Sequence, residues 1–182
     1  MLLKYRVVDN KKTEMLDIVD EHDNIIGKTD RLNYKDQNFV PEKKFARTVG
    51  CFIVNGDNMI LTPTRSPNKR SFPNALDFSC GGYVQSGETY DDAIIGELKE
   101  ESNLNVSQED LIFLGKLTPL DDLINVFMGV YKYVTNSEID YNKEDFTKVE
   151  WLTCEEFIKK IQNGIPCKNT LLPALLKFQS SL

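Results

Sequence analysis

The sequence predicts an α+β fold with a β-hairpin ahead of its main body. Three observations carry that reading: short strand-like runs separated by turn clusters, a carboxylate-rich helical segment behind a glycine-rich loop, and two further helical segments near the C-terminal end. Taken in order, Met15–Asp20 and Ile25–Thr29 are strand-like and flank the polar cluster Glu-His-Asp-Asn, which gives the hairpin. The lone His22 falls in that turn and reads as a solvated residue. From Asn33 to Lys44 the chain is polar and irregular, a linker, so residues 1–40 are expected to form hairpin and linker and 41–182 the body. Phe45–Val54 and Met59–Thr64 bracket Asn55-Gly56-Asp57, a hairpin signal in which Asn-Gly takes positive φ.

Arg65 to Pro73 is a loop that concentrates positive charge. Asp77–Ser79 and Gly82–Val84 read as short strands feeding a helix over Thr89–Ser102. Leu111–Lys116 and Ile124–Val134 are further strands, the second apolar on both faces and therefore central. After a strand at Val149–Leu152, Thr153 and Glu156 make a capping-box pattern for a helix through Phe157–Ile161, which Gly164 ends, and Leu171–Phe178 is a last amphipathic helix.

Composition bounds the function. At 182 residues, 41% hydrophobic and 27% charged, the chain can bury a substantial core in one domain. A formal charge of −6 argues against an extended nucleic acid as partner, which calls for a basic footprint, but not against a nucleotide. Cys51, Cys80, Cys154 and Cys167 are irregularly spaced and only one His is present, so neither a zinc cluster nor a disulfide framework is expected and the thiols read as reduced and mostly buried. The opening Met-Leu-Leu-Lys-Tyr-Arg is too short an apolar run for a signal peptide, and no apolar stretch of about eighteen residues exists, which leads to the expectation of a cytoplasmic protein that does not engage a membrane.

The segment that carries chemistry runs from Gly82 to Leu104. Helical spacing puts Glu97, Glu100 and Glu101 on one side, where neighbours three and four apart lie about 5–6 Å apart at Cβ. Three like charges so stacked repel, and hard oxygen donors at that spacing suit Mg²⁺, with Mn²⁺ as the alternative ion. The competing reading is a solvated acidic face.

The whole segment resembles the Nudix box: Gly, five residues, Glu, seven residues, then Arg-Glu-apolar-x-Glu-Glu-x-Gly-apolar. Gly82, Glu88, Glu97, Leu98, Glu100, Glu101 and Leu104 fall in register. Gly96 stands where the pattern has Arg, and Asn103 where it has Gly. Asn is able to close a helix in the left-handed conformation, whereas a mid-helix Gly costs roughly 1 kcal/mol relative to Ala. The resemblance covers roughly Phe45 to the C-terminus and implies an α/β/α sandwich around a mixed sheet, with diphosphate hydrolysis as the activity.

It implies a metal held by Glu97 and Glu101, with Glu100, Glu88 and the main chain of Gly82 in or near its shell. Arg47, Arg65, Lys69 and Arg70 are candidates to grip phosphates, Arg being suited to bidentate contacts. The general base comes from the box carboxylates Glu100 and Glu101 or from the late-loop pair Glu144 and Asp145. The Asp17–Gly27 preface and the Arg65–Pro73 loop resemble the branch that includes type 1 isopentenyl-diphosphate isomerases and their hydrolase relatives. The isomerase Cys-Gly-His-Pro segment would put Cys at Gly81 and His at Tyr83, so the sequence favours hydrolase over isomerase. A small-molecule diphosphate is the implied substrate, a nucleoside diphosphate derivative foremost. A catalytically weakened ligand-binding or regulatory module is the alternative, on account of Gly96. Free hairpin edges suggest a homodimer.

Overall fold

The computed structural model describes residues 14–34 and 43–182. The apolar start at Met1 and most of the expected linker lie outside them. Seven strands are present among the described residues: β1 Met15–Val19, β2 Ile25–Asp30, β3 Arg47–Val54, β4 Ile60–Arg65, β5 Leu111–Leu117, β6 Phe127–Val134 and β7 Phe146–Leu152. Three α-helices accompany them: α1 Tyr90–Ser102, α2 Cys154–Gln162 and α3 Leu171–Phe178. The first two strands form a separate antiparallel hairpin, and the other five make a sheet in the order β5-β6-β3-β4-β7. Only β3 and β6 run parallel, so the sheet is mixed.

β3 is buried along almost its whole length, and its side chains alternate between two cores. On one face Val49, Cys51 and Ile53 pack with Ile94 and Leu98 of α1. On the other, Phe52 and Val54 pack with Phe78, Met128, Phe157 and Leu175, beneath α2 and α3. The result is the expected α/β/α sandwich. β6 is interior and buried from Phe127 to Tyr131, as its apolar run predicts, but it begins later; Ile124 and Val126 enter the core from the preceding loop.

Helix ends follow the chemistry of their residues. Thr89 accepts from the Asp92 amide while Asp92 accepts from the Thr89 amide, a capping box that starts α1, and Asn103 closes it with φ 51°. Thr153 and Glu156 cap α2 in the same reciprocal way, and Gly164 follows that helix with φ 92°.

Two local expectations change. The β3–β4 turn is a five-residue connection closed by the pair Val54 and Ile60; the left-handed residue is Asn58 (φ 57°), not Gly56, because the Asn55 side chain accepts from Asp57 and Met59 and shapes the loop itself. Beyond that pair β3 and β4 separate, and residues 76–84 fill the gap between them. Cys80 and Gly82 exchange backbone hydrogen bonds with Cys51 and Val49, so Gly82–Val84 lies along β3 through isolated bridges rather than as a regular strand. Asp77–Ser79 is not a strand either. The Ser79 hydroxyl accepts from the Ile53 amide at 2.9 Å and donates to the Leu61 carbonyl at 2.5 Å, taking the place of ladder rungs.

The hairpin packs on the body. Leu16 and Ile18 join Tyr34 and Ala46, Val19 joins Phe45 and Phe127, and the Ser86 amide bonds the Met15 carbonyl at 2.7 Å. β1 is thereby flanked on both edges, and β2 keeps a free edge among the described residues, with Ile25 and Ile26 exposed.

Candidate active site

α1 and the glycine loop before it meet at a cleft of about 350 Å³. The helix brings Glu97, Glu100 and Glu101 to its wall. Glu101 is buried, and the Gly81 amide donates to its Oε2 at 2.9 Å. Glu97 lies so close to the loop that a Cβ on Gly82 would stand 1.7 Å from its Oε1. Gly81 is constrained from the other side, since a Cβ there would stand 2.5 Å from the Val49 carbonyl oxygen. Both glycines are therefore required by close approach: the loop is pinched between β3 and the helix carboxylates.

Burial and the neighbouring Glu101 and Glu100 carboxylates push Glu97 up to about 8. Burial likewise pushes Glu101 up to about 7, against the pull of its hydrogen bond from Gly81. A half-buried and a buried carboxylate that repel one another, without a cationic hydrogen-bond partner among the described residues, fit a divalent cation. No set of three His, Cys, Asp or Glu among the described residues is close enough to hold an ion by itself. Two carboxylates completed by water and substrate oxygens is the mode Mg²⁺ ordinarily uses. The Gly82 carbonyl accepts from the Val49 amide at 2.9 Å, which leaves it at most one further lone pair for an ion. Glu88 lines the cleft at the loop turn, its Oε2 accepting from the Gln85 amide at 2.9 Å; Glu100 is exposed at the rim.

The basic candidates divide. Arg65 and Lys69 line the cleft, but both are already bonded. Arg65 donates to Asp77 at 2.5 Å and to the Ser71 and Phe72 carbonyls, so it buckles its own loop, whose Phe72 is held at φ 52°. Lys69 pairs with Asp145. Arg47 is elsewhere, its Nε 2.6 Å from Asp23 in the hairpin turn, and Arg70 is exposed, reaching the Leu32 carbonyl at 3.4 Å. Of the late-loop carboxylates, Asp145 lines the cleft, held by Lys69 and by Asn142 Nδ2 at 2.9 Å, whereas Glu144 is exposed and outside the lining.

Among the lining residues that sequence reading missed are Lys168, Arg31, Tyr83 and Asn142. Arg31 stacks over the Tyr83 ring at 4.1 Å. Lys168, Arg31 and Asn142 arrive from segments outside the box, and Tyr83 occupies a box position that the pattern leaves open, so no local spacing announces them.

The Nudix domain profile matches residues 44–175. The chain belongs to the Nudix family. A Nudix hydrolase of Nostoc sp. is 40% identical over 92% of this chain and 97% of its own length. The crystal structure of DR0079 from Deinococcus radiodurans is 34% identical, covers 90% of this chain and 98% of its own, and superposes with a TM-score of 0.80. A prenyl-diphosphate phosphatase of Methanosarcina mazei is 28% identical over 81% of this chain and 84% of its own length. The protein is thus a hydrolase of the pyrophosphohydrolase type on a mixed-sheet α+β fold.

Proposed function

We propose that this Nudix enzyme is a Mg²⁺-dependent hydrolase that cleaves the diphosphate linkage of a nucleoside diphosphate derivative or a similar small molecule, with Mn²⁺ able to replace Mg²⁺. The observation that carries this reading is the pair of half-buried Glu97 and buried Glu101, lining one cleft together with Arg65, Lys69 and Lys168. Glu97 and Glu101 would hold a divalent ion, which would supply Lewis-acid polarisation of a phosphoryl oxygen and acidify a bound water. The chain's own groups do the rest. Gly81 fixes the Glu101 carboxylate through its amide, and Gly82 leaves Glu97 the space it occupies. Glu100 is the carboxylate placed to accept a proton from the attacking water, being on the cleft wall with no hydrogen bond among the described residues; Asp145 is tied to Lys69 and Asn142 and serves to hold the basic loop.

Phosphate release measured with and without Mg²⁺ on nucleoside diphosphates and triphosphates, nucleotide sugars, dinucleotides and prenyl diphosphates tests this. Turnover of one class only in the presence of the ion is the expected result; affinity without turnover on any member returns the chain to the ligand-binding alternative. The reading places the enzyme in the cytoplasm, whose reducing conditions suit its four free cysteines, and no helix among the described residues is long and apolar enough to cross a membrane. It also includes a homodimer, paired along the free edge of β2.

A further inference from the structure

The cations around the cleft differ in how much of their bonding capacity is used. Arg65 is committed to Asp77, Ser71 and Phe72, Lys69 to Asp145, and Arg31 to Glu14 at 3.2 Å and the Tyr83 ring. Lys168 is different. Its backbone is fixed: Leu76 donates to the Pro166 carbonyl at 2.8 Å and Lys168 donates to the Leu76 carbonyl at 2.9 Å, so residues 166–168 run beside the segment that leads into the glycine loop. Its ammonium has one ion-pair partner among the described residues, Asp77, with Nζ 3.6 Å from Oδ1. That oxygen already accepts from the Phe78 amide at 2.8 Å, and the other oxygen of Asp77 takes Arg65.

Lys168 thus keeps three donors for another acceptor, yet its side chain is only 20% exposed. A largely sheltered ammonium calls for an anion. Glu97 and Glu101 line the same cleft, and the Lys168 charge pulls both carboxyls down against their burial, but neither stands within ion-pair distance of it among the described residues. α1 brings no cation of its own to the lining. Gly96 has no side chain, and a Cβ there would meet nothing within 4 Å.

We propose that Lys168, delivered by the segment ahead of α3, grips a phosphate oxygen of the substrate at the carboxylate end of the cleft. The assignment rests on the diphosphate reading above, and it gives Lys168 rather than Arg65 the direct phosphate contact. Arg65 acts instead on Asp77, whose pairing with Arg65 keeps it from capturing the ammonium at hydrogen-bond distance.

Calorimetric titration with methylenediphosphonate at saturating Mg²⁺ tests it in wild type, Lys168→Ala, Lys168→Gln and Lys168→Arg, with titration of Mg²⁺ alone as the companion measurement. Loss of a charge-assisted contact should weaken the probe roughly ten- to a hundredfold in Lys168→Ala. Mg²⁺ affinity should be unchanged or slightly improved, and Lys168→Arg should recover most of the probe affinity. Lys168→Gln keeps a polar stem and carries the comparison should the Ala variant not fold. Equal probe affinity in wild type and the neutral variants overturns the proposal, as does a wild type that does not bind the probe. Turnover on the substrate panel is scored separately: an active wild type with a Lys168-independent probe affinity sinks this assignment alone, whereas an inactive wild type whose probe binding still needs Lys168 sinks the hydrolase reading alone.

Discussion

Glu97 and Glu101 have pKa values raised from the ordinary 4.5 to about 8 and about 7, so folding favours their protonated forms. The stability this contributes is fully present below pH 4.5 and is lost as pH rises through 7 and 8. Thermal melts in chelator should therefore show the metal-free protein weakening across that interval, and Glu97→Gln, which carries no charge to bury, should flatten the slope. Added Mg²⁺ should restore the wild type at alkaline pH but help Glu97→Gln little, and both Glu97→Gln and Glu101→Gln should lose most turnover. Gly82→Ala offers a complementary test. The Cβ collides with the far end of Glu97, a side chain able to swing away, so the melting temperature should change little while turnover and Mg²⁺ affinity fall together. These carboxylates and glycines were legible because they sit within one helix and one loop, where spacing alone sets their relation. Arg47 was not, since its partner Asp23 comes from the hairpin turn.

Elements announced by local chemistry formed where their residues demanded: the capping box of Thr153 and Glu156, the left-handed Asn103 and the helix from Leu171 to Phe178. The segment from Asp77 to Val84 was misread because its bonds are made by a serine hydroxyl and by scattered bridges to β3, neither of which leaves a period-two trace. Within α1, Gly96 faces open space. Gly96→Arg should consequently raise stability by up to about 1 kcal/mol, read as a higher unfolding midpoint in denaturant, and a loss of stability would refute the idea that the position is free. Arg65→Ala should act in the opposite direction. Its guanidinium and Asp77 form a nearly buried pair, with side-chain exposures of 12% and 4%, and removing one partner of such a pair typically costs about 3–5 kcal/mol. Denaturant unfolding of that variant at fixed Mg²⁺ decides whether the loop buckle carries this weight.

At the scale of the whole molecule, the hairpin is clasped to the body through Asp23, which accepts from Arg47, from Tyr90 at the start of α1 and from Lys116 on β5. The sequence reading foresaw the hairpin but not this convergence, because four segments meet there and none signals the others. The parallel pairing of β3 with β6 was hidden for the same reason: the two strands are separated by β4, α1 and β5. Ile25 and Ile26 are 54% and 52% exposed on β2. If that edge joins two copies, Ile26→Lys should convert a sedimenting dimer to a monomer, and a wild type that sediments as a monomer at micromolar concentration would remove the dimer from the account.

Cys51 and Cys80 face each other across the bridge between β3 and the glycine loop, fully buried, and burial raises both thiols above their ordinary range. An alkylating reagent meets neither while the sheet is closed, whereas Cys154 and Cys167 are half-buried and open to slow attack. With those two changed to serine, the rate at which iodoacetamide marks the remaining pair becomes a clock for the parting of β3 from the glycine loop. Such a clock ticks behind the very carboxylates proposed to bind the ion, so Mg²⁺ should slow it, and a saturating phosphonate should slow it further.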